Sequence, residues 1–241
     1  MPDPLQELLA PTRAAVERYR MIQPGDRIAV GVSGGKDSVL LLALLARLRR
    51  FYPHPFSLAA LTLDPCFAGE ETDYSPITAL CGEWGIPHEI RRTRLWEVVF
   101  EQRKEANPCS LCARMRRGGL HRLAAECGCN VVALGHHKDD AAETLLMNLF
   151  AGGTIASFSP KSYLSRRGLW MIRPMVFLDE AAIQAGVRKA GLPVVKSRCP
   201  ADGNTHRQQT KELLAALSKD YGPLSDRMVG ALQKGNISHW G

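Results

Sequence analysis

Apolar positions along the chain fall into two alternating kinds of segment. Short segments at 28–32, 58–63, 87–91 and 131–134 are bounded by Gly, Pro, Asp or charged residues and read as strands. Between them lie longer segments at 12–20, 37–50, 74–84, 111–127 and 139–151 that read as helices. The first is taken to begin after Pro11. The strongest is 37–50, apolar through 39–45 and basic at its C-terminal end, where the helix dipole favours cations. The helix at 139–151 is closed by Gly152 and Gly153. A short strand around 170–173 follows, then helices at 179–190, 205–219 and 224–234. This alternation predicts an α/β fold, a parallel sheet covered on both faces. In such sheets ligands gather at the carboxyl ends of the strands, where the strand order reverses.

There are no internal repeats and no low-complexity tract. The longest apolar run, 39–46, is closed by Arg47. It is far short of the roughly 20 residues of a membrane span, so no contact with a membrane is expected. The first turns carry Asp3 and Glu7 and no apolar core of a leader, so no signal peptide is expected and a cytoplasmic location is the default.

Composition sharpens this picture. With 241 residues, 45% apolar and 23% charged, the chain is expected to fold as one domain, or one domain with an appendage. A disordered chain, a collagen and a disulfide miniprotein are excluded. The net charge of +7 is unevenly placed. Residues 91–122 hold nine basic residues (Arg91, Arg92, Arg94, Arg103, Lys104, Arg114, Arg116, Arg117 and Arg122) against Glu97, Glu101 and Glu105. That excess suits a polyanion, although a solvated helix face has the same composition. The seven cysteines are an odd number, which in a cytosolic chain favours metal binding or redox chemistry over a disulfide framework.

Candidate chemistry begins where the first strand meets the strongest helix. There the chain reads Ser33-Gly34-Gly35-Lys36-Asp37-Ser38. Glycines let a backbone approach an anion, and a helix N-terminus offers free N–H groups and a positive dipole end. A Walker loop would need Gly at Val30 and Ser or Thr at Asp37, and a dinucleotide loop would need Gly at Ser33, so both fail. The hexapeptide resembles the pyrophosphate loop of the N-type ATP pyrophosphatases, which implies a Rossmann-like fold. It also implies use of ATP to adenylate an oxygen with release of pyrophosphate.

Two further segments end predicted strands. Leu63 and Asp64 lie where a base or ribose could meet the backbone, although a strand-ending Asp also serves as a turn former. Gly135, His136, His137, Lys138, Asp139 and Asp140 lead into the helix at 139–151. Two carboxylates and two imidazoles at the ligand edge exceed what capping needs, and Asp139 and Asp140 are candidates to hold Mg²⁺ against phosphate oxygens.

Cys109 and Cys112 form a CxxC read as lying just before a helix, a position that favours thiolate. It suits half a zinc site, a redox pair or part of an iron–sulfur site. If 111–127 is one helix, Cys127 lies about 22 Å from Cys112 at ~1.5 Å per residue. Cys127 and Cys129 are then packing thiols, while Cys199, in a loop far along the chain, is free to fold back. Three thiolates would leave one coordination position open, as suits a cluster that handles substrate.

PCSLCARMRRGG at 108–119, followed by LGHHKDDAAETLLMNLFAGG at 134–153, resembles the tRNA 2-thiocytidine synthetases. The resemblance runs from the loop at 31 to about residue 200. It implies thiolation of C2 of a cytidine in the tRNA anticodon loop, with uridine the alternative. It further implies ATP as co-substrate and a [4Fe–4S] cluster on Cys109, Cys112 and Cys199. Cys199 corresponds by position alone, since its surroundings read CPADGNTHRQQTK. The implied organisation is an N-terminal helical segment at 1–26, an ATP pyrophosphatase and thiolation domain at 27–200 and a helical extension at 201–241. Lys36 and Mg²⁺ near Asp139 would stabilise phosphate charge, and the arginines of 114–122 would position the tRNA beside the chemistry, apart from the phosphate loop. Partners implied are tRNA and a sulfur donor such as a cysteine desulfurase, with a second copy, as a homodimer, a further candidate. Two other functions use the same motifs: a tRNA ligase of the lysidine-synthetase type and a nucleotide-binding Fe–S redox sensor without catalysis.

Overall fold

In the computed structural model, which describes residues 3–103, 108–200 and 206–241, strand β1 (Arg27–Gly31) is the axis of the sheet. Strand β2 (Ser57–Asp64) pairs with it on one side and β4 (Val131–Ala133) on the other, both parallel. Val30 stands in register with Ala60 and with Ala133. Beyond them lie β3 (His88–Arg92), β5 (Lys161–Leu164) and β6 (Leu169–Ile172), giving the order β3-β2-β1-β4-β6-β5. The order reverses between β1 and β4, so the segments leaving those two strands open into one crevice.

The helices are α1 (Gln6–Arg18), α2 (Lys36–Leu48), α3 (Ser75–Glu83), α4 (Pro108–Glu126), α5 (Lys138–Gly152), α6 (Glu180–Lys189), α7 (His206–Tyr221) and α8 (Leu224–Lys234). They cover both sheet faces. Alternate residues of β1 face opposite cores: Ile28 and Val30 join α2 on one side, and Ala29 joins Leu123 of α4 on the other. Leu40, Leu41, Leu42, Leu44 and Leu45 of α2 are all fully buried. At roughly 2 kcal/mol per buried leucine, this helix anchors the phosphate loop at its own N-terminus. No helix among the described residues is long and apolar enough to cross a membrane.

The structure departs from the expected elements in four places. Helix α1 begins at Gln6 and carries Pro11 inside it, because Leu5, Leu8 and Leu9 bury themselves against the core. Helix α4 begins at Pro108, a residue whose fixed φ and missing N–H suit a first helical position, so the CxxC lies within the first turn. A π-helical turn, Glu97–Arg103, precedes it where no element was expected. The edge strand β5 is antiparallel to β6, and its sequence KSYL carries no apolar signal. Lys104 of the basic segment, and residues 201–205 after Cys199, lie outside the described residues.

Candidate active site

The chain leaves β1 at Gly31, turns at Gly34 and enters α2 with Gly35 as its N-cap. Gly34 has φ +92°, and a Cβ there would stand 2.9 Å from the Val195 Cβ, so both conformation and space require glycine. Its carbonyl accepts the Val195 N–H at 2.9 Å. The Ser38 hydroxyl closes the loop, donating to the Gly35 carbonyl at 2.9 Å and accepting the Ser33 N–H at 3.1 Å. The loop after β4 lies directly against this turn: a Cβ on Gly135 would stand 3.0 Å from the Asp37 carbonyl carbon. Between the loops is a cavity of about 400 Å³, within the range of cofactor sites. Ser33, Asp37, Ser38, Gly135, His136 and Asp140 line it, and the turn of α4 that follows Cys112 closes it with Ala113, Arg116 and Arg117. Arg116 and Arg117 therefore share a wall with the phosphate loop, which corrects the expected separation of a polyanion surface from the ATP site.

Lys36 is held before any phosphate arrives. Its Nζ lies 2.9 Å from Asp37 Oδ1 and 3.1 Å from Glu180 Oε1. Burial favours the neutral amine, but the hydrogen bonds to Asp37 and Glu180 outweigh it and raise the Lys36 pKa. Burial likewise works against the Glu180 carboxylate, yet Lys211 and Lys36 bring its pKa down to about 2. Glu180 and Lys211 come from α6 and α7, too far along the chain for spacing to announce them.

The two carboxylates after β4 have separate tasks. Asp139 Oδ2 accepts the Glu180 N–H at 2.7 Å, and Oδ1 accepts the Ser225 hydroxyl at 2.6 Å. Asp139 thus pins the starts of α6 and α8 to α5, and neither it nor Lys36 is among the residues that line the cavity. Asp140 does line the cavity, with Oδ2 accepting the His137 N–H at 2.9 Å and Oδ1 bound by Arg207 Nη1 at 2.7 Å. Arg207, from α7, is a cavity residue that sequence reasoning missed. His136 Nδ1 accepts from Arg173 Nε at 3.3 Å, while Arg173 also covers the Phe158 ring with 4.8 Å to its centroid. Burial and the Arg173 charge push the His136 pKa down to about 3, so the ring is neutral and its proton sits on Nε2.

Asp64 is fully buried, and its carboxylate accepts the N–H groups of Cys66 and Thr72 at 3.1 and 2.8 Å. It organises the following loop as a turn former and does not line the cavity; its neighbour Leu63 borders the cavity with an apolar side chain.

Cys109, Cys112 and Cys199 are half-buried free cysteines, and Cys109 and Cys199 lie near enough to Cys112 to act on its thiol. Burial raises the Cys112 pKa, Arg116 opposes this, and the nearby Cys199 and Cys109 raise it further. Cysteine sulfurs are the usual ligands of iron–sulfur clusters, so the chemistry of these three donors fits such a group. Among the described residues no three His, Cys, Asp or Glu side chains stand in coordinating geometry. Cys129 is buried against Leu123 and Val132, with Cys127 packed beside it.

A family model described as the PP-loop domain matches residues 6–215. The chain is 41% identical over 229 residues to a tRNA-cytidine(32) 2-sulfurtransferase from Syntrophotalea carbinolica, covering 94% of this chain and 87% of that protein. It is 41% identical over 211 residues to the protein of that name from Paracoccus denitrificans, covering 87% and 70%. The U34-tRNA thiolase NcsA from Methanococcus maripaludis, solved with its [4Fe–4S] cluster, has the same fold: TM-score 0.78 at 23% identity, covering 96% of this chain and 78% of that one. The ammonia-dependent NAD synthetase from Campylobacter jejuni is more distant, with TM-score 0.50 at 16% identity over 95% of this chain and 91% of that one.

Proposed function

The chain belongs to the PP-loop domain family and, within it, to the tRNA-cytidine(32) 2-sulfurtransferases, and from that premise we propose that it uses ATP to replace the C2 oxygen of cytidine 32 in tRNA with sulfur. One observation carries this reading. The cavity that begins at the phosphate loop ends on Ala113, Arg116 and Arg117 of α4, so the residue next to Cys112 lies on the wall of the space where the nucleotide would sit.

In the first step the C2 oxygen attacks the α-phosphorus of ATP and pyrophosphate leaves. The N–H groups at the start of α2 hold the phosphates, helped by the dipole of a helix anchored in the core. Lys36, kept cationic by its carboxylate partners, does not itself line the cavity but adjoins Asp37, which does, and from there it meets the charge that develops on the leaving group; Arg116, Arg117 and Arg207 line the cavity. His136 offers an Nε2–H donor whose protonation does not change near neutral pH. Asp37 and Asp140 are the cavity carboxylates that would hold Mg²⁺, a cation that takes one or two carboxylates together with phosphates and neutralises their charge. In the second step sulfide adds at C2, the C2–O bond to the adenylate breaks, and AMP and a proton depart. Cys109, Cys112 and Cys199 would hold a [4Fe–4S] cluster, which would supply sulfide-level sulfur chemistry beside the cavity.

The test is anaerobic incubation of the protein with iron and sulfide, ATP, Mg²⁺ and unmodified tRNA, followed by mass spectrometry of the nucleosides. The expected product is 2-thiocytidine, with AMP and pyrophosphate formed in equal amount. ATP turnover that leaves every nucleoside mass unchanged would refute the reading.

A further inference from the structure

Beside the ATP cavity a second depression, of about 420 Å³, runs along α4. Leu63 lines both, so the two adjoin at that residue. Three elements bring an arginine to the second one: Arg94 after β3, Arg122 on α4 and Arg167 in the β5–β6 turn. Arg94 is paired with Glu97. Arg122 and Arg167 are exposed, and among the described residues neither makes an ion pair. Among the described residues no acidic side chain lines the groove, and Leu95 and Met115 give it an apolar floor. Arg117 on the cavity and Arg167 on the groove both act on the buried His121, and with burial they lower its pKa. One positive field therefore spans the cavity wall and the groove.

Two adjacent glycines in α4 differ in what they do. A glycine inside a helix weakens it relative to alanine and needs a reason. Gly119 has one, since a Cβ there would stand 2.9 Å from Leu63 Cδ1. Gly118 has none within the protein: nothing lies within 4 Å of its would-be Cβ. It faces the groove, so its bare backbone makes room for something that comes from outside.

We infer that this groove is the path of a single-stranded RNA segment: the nucleotides flanking the target cytidine lie along α4 over Gly118, with their phosphates on Arg122 and Arg167, while the target base crosses Leu63 into the ATP cavity. The inference rests on the tRNA reading above. Unpaired nucleotides fit a narrow groove with an apolar floor, because splayed bases can rest on it while their phosphates meet arginine at the rim. A duplex would need a wider face.

The test uses the cluster-loaded full chain and unmodified tRNA. Gly118→Ala is expected to raise the melting temperature and, in the same protein, to weaken tRNA binding while leaving the ATP dissociation constant unchanged. A glycine with only a structural role would not separate these readouts. Arg122→Glu with Arg167→Glu is expected to make the log–log salt dependence of tRNA binding shallower by about 1.4, two phosphate contacts at ~0.7 each for a single strand. An unchanged salt slope in the double variant overturns the inference, as does a more stable Gly118→Ala protein that binds tRNA like the wild type. Wild-type protein that binds and thiolates tRNA while these variants match it refutes the groove alone; wild-type protein that binds no tRNA refutes the reading beneath it as well.

Discussion

Lys36 Nζ stands 3.1 Å from Glu180 Oε1, and the other oxygen of that carboxylate binds Lys211 Nζ at 2.5 Å. The first residue of α6 thereby clasps the first residue of α2, with α7 on its far side. An incoming phosphate meets a lysine already aligned and charged. Because the Glu180 pKa falls from 4.5 to about 2, its contribution to stability is present above pH 4.5 and is lost as the pH falls toward 2. Glu180→Gln is expected to destabilise the protein at pH 7 and progressively less as the pH falls through that window. Chemical denaturation at a series of pH values measures this, and a constant difference would contradict it.

Lys36→Ala is expected to lower ATP-dependent pyrophosphate release by about 10²–10³-fold, the usual effect of removing a group that stabilises developing charge. The fold should persist, because α2 is anchored by its buried leucines and Glu180 keeps Lys211. Unchanged pyrophosphate release with the same circular dichroism spectrum would remove Lys36 from the mechanism.

Replacing Cys109, Cys112 or Cys199 with Ser should each abolish iron binding and thiolation. Cys129→Ala should retain both and cost about 1 kcal/mol of stability, since Cys129 is a buried packing thiol. Iron content after anaerobic purification distinguishes the two groups.

Glu143 is buried, and desolvation together with the nearby Asp140 charge raises its pKa to about 7, against the pull of Arg207. A raised carboxylate pKa makes the fold lose stability as the pH climbs from 4.5 toward 7. Glu143→Gln removes that loss. The variant should be more stable than wild type at pH 8, by roughly 3 kcal/mol at most, from ~1.4 kcal/mol per pKa unit. The two proteins should match below pH 4.5. Equal melting temperatures at pH 8 would show that Arg207 fully compensates the charge.

Arg114 is exposed and outside the cavity that Arg116 and Arg117 line. Charge reversal at Arg114 should weaken tRNA binding alone, whereas reversal at Arg116 and Arg117 should weaken both tRNA and ATP binding. Calorimetric titration with each ligand separates the cases.

Local chemistry was readable in the sequence wherever neighbours along the chain carry it. The strand, turn and helix around Ser33–Ser38 follow from glycines and a leucine-rich run. The loop at 135–140 was equally visible as a cluster, but not the division of labour inside it. Asp139 and Asp140 look alike in one dimension; only the arrival of Glu180, Ser225 and Arg207 turns one into a brace and leaves the other on the cavity. Asp64 was legible as a turn former, and its carboxylate does take the Cys66 and Thr72 amides, while its backbone beside Leu63 keeps the place expected for a base or ribose. The edge strand at Lys161–Leu164 was illegible because a strand at the rim needs little apolar character. Helix α1 was read short because proline's local cost is visible, whereas the burial of Leu5, Leu8 and Leu9 that overrides it is not.

The contact between Gly34 and Val195 gears two ends of the machine together. Val195 hangs on the phosphate loop by one backbone hydrogen bond, and Cys199 follows four residues later on the same strand of chain. Under the proposed function, one backbone hydrogen bond thus joins the turn that would grip the nucleotide to the segment that carries the third thiol.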